Sequence, residues 1–308
     1  MKLPVILIRI LSDFKVIFWW AKNFSIPRFL YVLTVHLQLH LARIIQHLKT
    51  PALSFNDLKS KKSGDRVFIL GAGPSLNNIS NEEWRLIGLS NTIGFNSVFY
   101  LKKIDITFFI LKEWGSKDSM IDRWRVPLSD LIGKIKENKF LRNTVFLLQS
   151  GLTSIFSNRL LVNGLWPPEL RYSTYWIDRI TLTPNRDFRG RLVHRQGTLC
   201  SAISFAVQMG YKEIVLAGVD LDGRGYFWSP PGRSVNWSVD TGEIIYDCND
   251  ELGGRVEDRH NTANNGIVET ISDWAAFLNV EYGVKLFTYN PRSLLCEALP
   301  VYHFSEGV

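Results

Sequence analysis

An α/β fold with a mostly parallel sheet and helices on both faces is predicted by three features of this sequence. Apolar runs of strand length recur from residue 65 onward, helical stretches separate them, and several end in glycine or a polar residue at a turn. Ligands gather at such turns in sheets of this kind. A chain of 308 residues can bury a sizeable core, and an aromatic share of 13% excludes a solvated, disordered chain.

The pattern begins after a segment of different character. Residues 1–62 carry ten Lys/Arg against two Asp, whereas the remainder holds 26 basic and 27 acidic side chains. The net charge of +7 is therefore gathered in the first fifth of the chain. A nucleic-acid binder would spread basic residues over a recognisable folded module, and none is present, so no nucleic-acid partner is expected. Arg9, Asp13, Lys15, Lys22 and Arg28 interrupt every apolar run before it reaches membrane-span length. No continuous apolar core with a small-residue cleavage site marks a secretory leader.

Phe18, Trp19 and Trp20 beside lysines suit a helix lying in a membrane interface, rings in the acyl boundary and cations at anionic headgroups. Residues 1–49 are accordingly expected to touch a membrane surface peripherally. A helical hairpin packed on the body, or on a sister subunit of a homo-oligomer, is the alternative. His36, His40, Arg43 and His47 share one helical face, with Leu37, Leu41, Ile44 and Ile45 turned away. That face is basic and has no carboxylate, so a polar stripe is expected rather than a metal site. Thr50-Pro51 and the polar run Lys59–Gly64 form a linker, which divides residues 1–64 from a body at 65–308.

In the body, Val67–Leu70 is a strand emptying into Gly71-Ala72-Gly73-Pro74-Ser75-Leu76. A glycine turn after a strand lets backbone N–H groups approach a phosphate or ribose, although a tight structural turn accounts for it as well. The third glycine of a dinucleotide fingerprint and the Gly-Lys-Ser/Thr of a Walker loop are both missing. Ser80 and Glu83 form a capping box that opens a helix. Strands follow at Asn91–Asn96, Asp105–Ile110 and Asn143–Leu148. Residues 150–195 are aromatic and basic without periodicity, suiting a lid, an acceptor surface or an excursion of packed loops.

Gly197 opens a helix running through Met209, and Thr198 at its start can cap it or turn its hydroxyl toward an anion. Lys212–Asp220 is a strand with a polar end. A lid is expected over about 221–262, longer than ordinary connections. A helix at Asn264–Val280, a strand at Val284–Thr288 and a last helix beginning at Asn290-Pro291-Arg292-Ser293 complete the chain. Cys200, Cys248 and Cys296 are too scattered for a disulfide framework or a Cys-x-x-Cys knuckle, and are expected to be idle thiols in a reducing compartment.

Four islands in order, Gly71–Leu76, Phe95–Tyr100, Ala206–Asp220 and Val284–Phe287 with Asn290–Leu295, resemble the bacterial lipooligosaccharide sialyltransferases of glycosyltransferase family 42. The resemblance spans about residues 65–300. It implies a Rossmann-like, GT-A-like variant fold and an inverting transferase that takes an acidic sugar from a CMP-activated donor without a metal or other cofactor. It further implies a glycolipid or surface-polysaccharide acceptor, as in lipopolysaccharide biosynthesis, met at the cytoplasmic side of the inner membrane.

By the same resemblance Gly71, Ala72, Gly73, Pro74, Ser75 and Asn96, with Thr198 and Asp220, would hold the nucleotide. Tyr226 would donate a hydrogen bond to the departing phosphate, and His260 would be the general base. Two positions depart from the family: Asp222 stands where a first tyrosine is expected, and Ile110 or Leu111 where an asparagine is. The donor sugar is thereby left open between sialic acid, Kdo and related ulosonic acids. The Gly-Pro-Ser-Leu turn also resembles that of pterin diphosphokinase-like proteins. That likeness keeps open an Mg²⁺-dependent phosphoryl transferase using Asp220 and Asp222, or a non-catalytic nucleotide-binding scaffold.

Overall fold

A computed structural model of the chain describes residues 52–111, 128–150, 166–187, 190–222, 225–228, 235–237, 244–246 and 265–304, with residues 161 and 263 and scattered positions between 14 and 41. Eight strands form one sheet: β1 (Arg66–Leu70), β2 (Asn91–Phe95), β3 (Phe108–Leu111), β4 (Val145–Ser150), β5 (Arg171–Asp178), β6 (Arg191–Val193), β7 (Glu213–Ala217) and β10 (Lys285–Thr288). Their order is β10-β7-β1-β2-β3-β4-β5-β6, and every pairing is parallel. The chain walks outward from β1 to β6 and then crosses to the other side of β1. The strand order therefore reverses between β1 and β7, where a doubly wound sheet opens its ligand crevice.

Parallel pairing covers both faces, so the strands need no alternation; β1 is Arg-Val-Phe-Ile-Leu, with its last four residues buried. Val67 and Ile69 face one core with α1 (Phe55–Lys59), α4 (Thr198–Met209) and α5 (Ile267–Tyr282). Phe68 and Leu70 face the other, with α2 (Asn81–Ile87), α3 (Leu128–Glu137) and the aromatic segment through Phe304. The capping box at Ser80 and Glu83 forms in both directions, a device contributing about 1 kcal/mol.

Every residue of α4 is buried. Its one polar stripe, Ser201, Ser204 and Gln208, is consumed by the outer strand. Val193 N–H donates to Ser204 Oγ at 3.1 Å, Gln208 Nε2 donates to the Arg191 carbonyl at 2.8 Å, and His194 Nδ1 pairs with Ser201 Oγ at 3.0 Å. The helix thus satisfies part of the backbone and flank of edge strand β6, which an open edge would leave unpaired.

Several expectations change. The aromatic stretch at 150–195, expected as lid, acceptor surface or loops, contributes β5 and β6 to the sheet. The helix expected from Asn290 is absent; residues 291–299 are turns and bends, in which Asn290 and Ser293 donate to the β7 loop at Asp220 and Val219 and accept from the nearby Arg292 and Leu295 N–H groups. The third strand starts at Phe108, not Asp105, since Thr92 Oγ1 bonds the Asp105 carbonyl and the Thr107 N–H in place of a ladder partner. Gly266, left-handed at φ +81°, delays α5 to Ile267.

In the run expected as linker, Leu58 is fully buried, Leu53 N–H donates to the Tyr172 carbonyl and Ser173 Oγ donates to the Leu53 carbonyl. The expected lid includes a short antiparallel pair, β8 (Val235–Trp237) with β9 (Ile244–Tyr246). Cys200 is buried and Cys296 partly so, neither in a disulfide, while Cys248 lies outside the described residues.

Candidate functional site

The carboxyl edge above β1, β2 and β7 is built by close approach of backbones. Gly71 N–H donates to the Ala217 carbonyl at 2.8 Å and Gly73 N–H to the Gly218 carbonyl at 2.7 Å. A Cβ on Gly71 would strike the Gly218 carbonyl, and one on Gly73 would strike the Asp220 carboxylate. Both glycines are thus required by the β7 loop, independently of any phosphate. Gly218 sits at φ +67° against Leu76 and the Gly71 carbonyl, a conformation glycine adopts without a Cβ penalty.

Asp220 is 2% exposed. Its Oδ2 accepts from Ser75 N–H at 2.9 Å, and its Oδ1 accepts from Ser75 Oγ at 2.6 Å and Asn290 Nδ2 at 2.8 Å. With three protein donors on its two oxygens, Asp220 acts as a latch joining the first turn, the β7 loop and the segment after β10. It offers little of the open carboxylate face that a Mg²⁺ ion shared with Asp222 would need.

Asn96 follows β2 with φ +52°, and Leu221 follows Asp220 with φ +62°. Positive φ is uncommon for a non-glycine residue, least so for Asn, and is costly for Leu. Both exceptions flank β1 at the same edge, where strain of this kind accompanies ligand-binding geometry. Asn96 is exposed there, and Thr198 begins α4 with its residue almost wholly buried.

Tyr226 belongs to a short segment laid over the first turn: Phe227 N–H donates to the Ala72 carbonyl at 3.0 Å and Asn77 Nδ2 to the Phe227 carbonyl at 2.8 Å. Its ring stacks on Trp228 at 5.4 Å and 4° between planes, and Trp228 in turn meets Tyr100 at 5.2 Å. Burial pushes the Tyr226 hydroxyl above its ordinary range, so it keeps its proton at neutral pH and remains a donor. His260 lies outside the described residues, as do Trp19, Trp20, His36, His40, Arg43 and His47.

The structure therefore brings Gly71, Ala72, Gly73, Pro74, Ser75 and Asp220 into one set of contacts with the segment that carries Tyr226. Asn77, Trp228 and Asn290 take part in it and were not singled out from sequence. The Asn-Pro-Arg-Ser run held the only signal for Asn290, and it was assigned to a helix start. Beside this edge, between α2 and residues 289–304, lies a groove of about 780 Å³.

Fold and edge together define a Rossmann-like α/β protein with its switch-point crevice at β1/β7. No protein-family model matches the chain, and no curated protein does. Among solved structures it is similar to the Campylobacter jejuni sialyltransferase CstII in complex with a substrate analogue, cytidine-5'-monophosphate, at 15% identity and TM-score 0.39, covering 79% of this chain and 88% of that one. It is also similar to the sialyltransferase CST-II in complex with a trisaccharide acceptor and CMP, at 16% identity and TM-score 0.37, covering 78% and 88%.

Proposed function

We propose that this chain is a glycosyltransferase that takes an acidic sugar from a CMP-activated donor, in the manner of a sialyltransferase. The reading rests on one observation: the Gly71–Ser75 turn and the left-handed Asn96, both in sequence islands that resemble those enzymes, share the carboxyl edge at the switch point with the segment that carries Tyr226. The exposed Asn96 amide presents hydrogen-bonding groups to a nucleotide beside a turn whose Gly71, Gly73 and Ser75 N–H groups are held by Ala217, Gly218 and Asp220. The protonated Tyr226 hydroxyl would donate to the leaving phosphate, stabilising charge as the anomeric carbon–oxygen bond breaks. His260 would take the acceptor hydroxyl proton as the new bond forms on the opposite face, giving inversion and releasing CMP.

The acceptor in this reading is a glycolipid or surface polysaccharide, met at the cytoplasmic side of the inner membrane. In support, Phe18 and Ile26 are 73% and 76% exposed, and Leu30, Tyr31, Leu37 and Leu41 are also exposed, in helical stretches that carry Lys15 and Lys22. Such a surface suits contact with anionic lipid. No helix among the described residues is long and apolar enough to cross a membrane.

A thermal-shift comparison of CMP, UDP, GDP and ATP, each with and without EDTA, tests the donor. CMP is expected to raise the midpoint with EDTA present, by mass action on the folded state. A rise with ATP and Mg²⁺ alone overturns the reading. Given a donor, Tyr226→Phe is expected to lower kcat about 10- to 100-fold with CMP affinity retained, the usual scale for loss of one donor to developing charge.

A further inference from the structure

The segment that carries Tyr226 is fixed to the first turn at Phe227, whose N–H donates to the Ala72 carbonyl and whose carbonyl accepts from Asn77 Nδ2. Those bonds place the main chain and leave the direction of the Tyr226 side chain to other contacts. A stacked ring supplies one: Trp228 lies 5.4 Å from Tyr226, with 4° between the planes. The Trp228 indole N–H makes no hydrogen bond among the described residues, so its grip on Tyr226 is through the ring.

Trp228 also rests against Tyr100, with centroids 5.2 Å apart and 44° between planes. Tyr100 belongs to the turn Asn96–Tyr100 that follows β2, and that turn is fastened by α3 and the residue after it. Lys134 Nζ donates to Tyr100 OH at 3.0 Å and stands 5.3 Å from the ring centroid. Asn138, which is buried, donates from Nδ2 to the Phe99 and Leu101 carbonyls on either side of Tyr100, both at 2.8 Å. Contacts thus run from Asn138 and Lys134 through Tyr100 and Trp228 to Tyr226. A donor to developing charge is effective when its direction is set before the bond breaks, and a misplacement of about 1 Å can cost about 100-fold.

We infer that Trp228 is a positioning residue, which bridges Tyr100 and Tyr226 and sets the direction of the Tyr226 hydroxyl toward the departing phosphate. The inference rests on the donor reading for the phosphate and on the ring contacts for the positioning. One side chain then joins the turn that begins at Asn96 to the leaving-group donor.

Release of CMP from CMP-sialic acid, with water as acceptor, tests it on the full chain. The parent is compared with Trp228→Ala, Trp228→Phe, Tyr226→Phe and the double variant Tyr226→Phe with Trp228→Ala. Trp228→Ala is expected to lower kcat about tenfold with KM held within about twofold, the mark of an interaction used in the transition state. Trp228→Phe keeps a ring face and is expected to recover most of that loss. In the Tyr226→Phe background the alanine substitution is expected to cost less than about twofold, because the donor it positions is already gone. A merely structural residue would subtract the same factor in both backgrounds. The ring current of Trp228 gives a second readout, in protein with labelled tyrosine whose Tyr226 signals are assigned by their loss in Tyr226→Phe. Those signals are expected to move toward free-tyrosine values in Trp228→Ala and to remain upfield in Trp228→Phe.

Equal factors in both backgrounds, an unaltered kcat in Trp228→Ala, a phenylalanine variant no better than the alanine one, or Tyr226 signals that stay in place in Trp228→Ala would each overturn the inference. No CMP release from the parent would strike the donor reading instead, and the Tyr226 signals then decide whether Trp228 holds the ring.

Discussion

Two buried aspartates follow strands at the carboxyl edge of this sheet, and they are held in different ways. Asp178, at the end of β5, is fully buried and accepts from the N–H groups of Ile180 and Thr181 and from Thr181 Oγ1. It also has a cation, Arg191 Nη1, at 3.3 Å. Asp220, after β7, takes neutral donors from Ser75 and Asn290 and has no ionic partner among the described residues. The first is a closed clasp on the outer strands, balanced in charge. The second is a latch beside the switch-point crevice, held only by groups that also form the turn and the adjoining groove. A perturbation of Asp178 should therefore be felt as stability alone, and one near Asp220 as stability together with ligand affinity.

The largest expected effect tests the clasp. Arg191→Met leaves a buried carboxylate without its cation and should destabilise the fold by about 3–5 kcal/mol, measured by urea unfolding. Replacing both partners, Asp178→Asn with Arg191→Met, should recover a substantial part of that loss, because no unpaired charge stays buried. The affinity of the remaining folded protein for CMP should not move in either variant. A parallel loss of CMP affinity would break the contrast between the two regions.

A smaller effect is expected at the latch. Gly73→Ala places a Cβ against the Asp220 carboxylate and within 2.8 Å of the Gly218 carbonyl, overpacking that should cost about 1–3 kcal/mol. Because the displaced atoms belong to the turn, CMP affinity should fall with stability, about tenfold or more. Thermal unfolding with and without CMP separates the two. Stability lost with CMP affinity unchanged would mean that the turn is only a packing device.

The same contrast explains what the amino-acid pattern revealed. At β1 and β7 apolar runs end at glycines, β2 ends before a polar Asn96, and the Ser80–Glu83 capping box is local, so strands, turns and the start of α2 are legible without tertiary knowledge. Strand β5 is Arg-Tyr-Ser-Thr-Tyr-Trp-Ile-Asp, whose Ser173 and Asp178 are buried only because Leu53, Thr181 and Arg191 lie close by in the folded chain. Those partners are distant or irregular in sequence, and β6 is only three residues long, so neither strand carries a periodic signal of its own. At the edge, the glycines pointed to a phosphate turn, yet their close contacts are with the β7 backbone. Asn290 escaped notice because its role depends on Asp220, seventy residues earlier.

The smallest effect concerns the wall shared by α2 and the segment after β10. Burial alone would raise the Glu83 carboxyl, but hydrogen bonds from Tyr289 OH and from Ser80 outweigh it and hold the group below its ordinary value of 4.5. Burial and the same Glu83 contact push the Tyr289 hydroxyl far above its usual range, so it stays protonated and remains the donor. A lowered carboxyl favours the folded state at pH values above its unfolded pKa, and that contribution drains away as pH falls through the folded value. Glu83 is largely open to solvent screening, so the Tyr289–Glu83 contact should contribute only about 0.5 kcal/mol at neutral pH. Tyr289→Phe should therefore unfold slightly earlier than the parent at pH 7, and the gap should narrow below about pH 4, close to the ordinary carboxylate range. Melting curves of both proteins across pH 3–8 check this, and a gap that widened on acidification would reverse the assigned direction of donation.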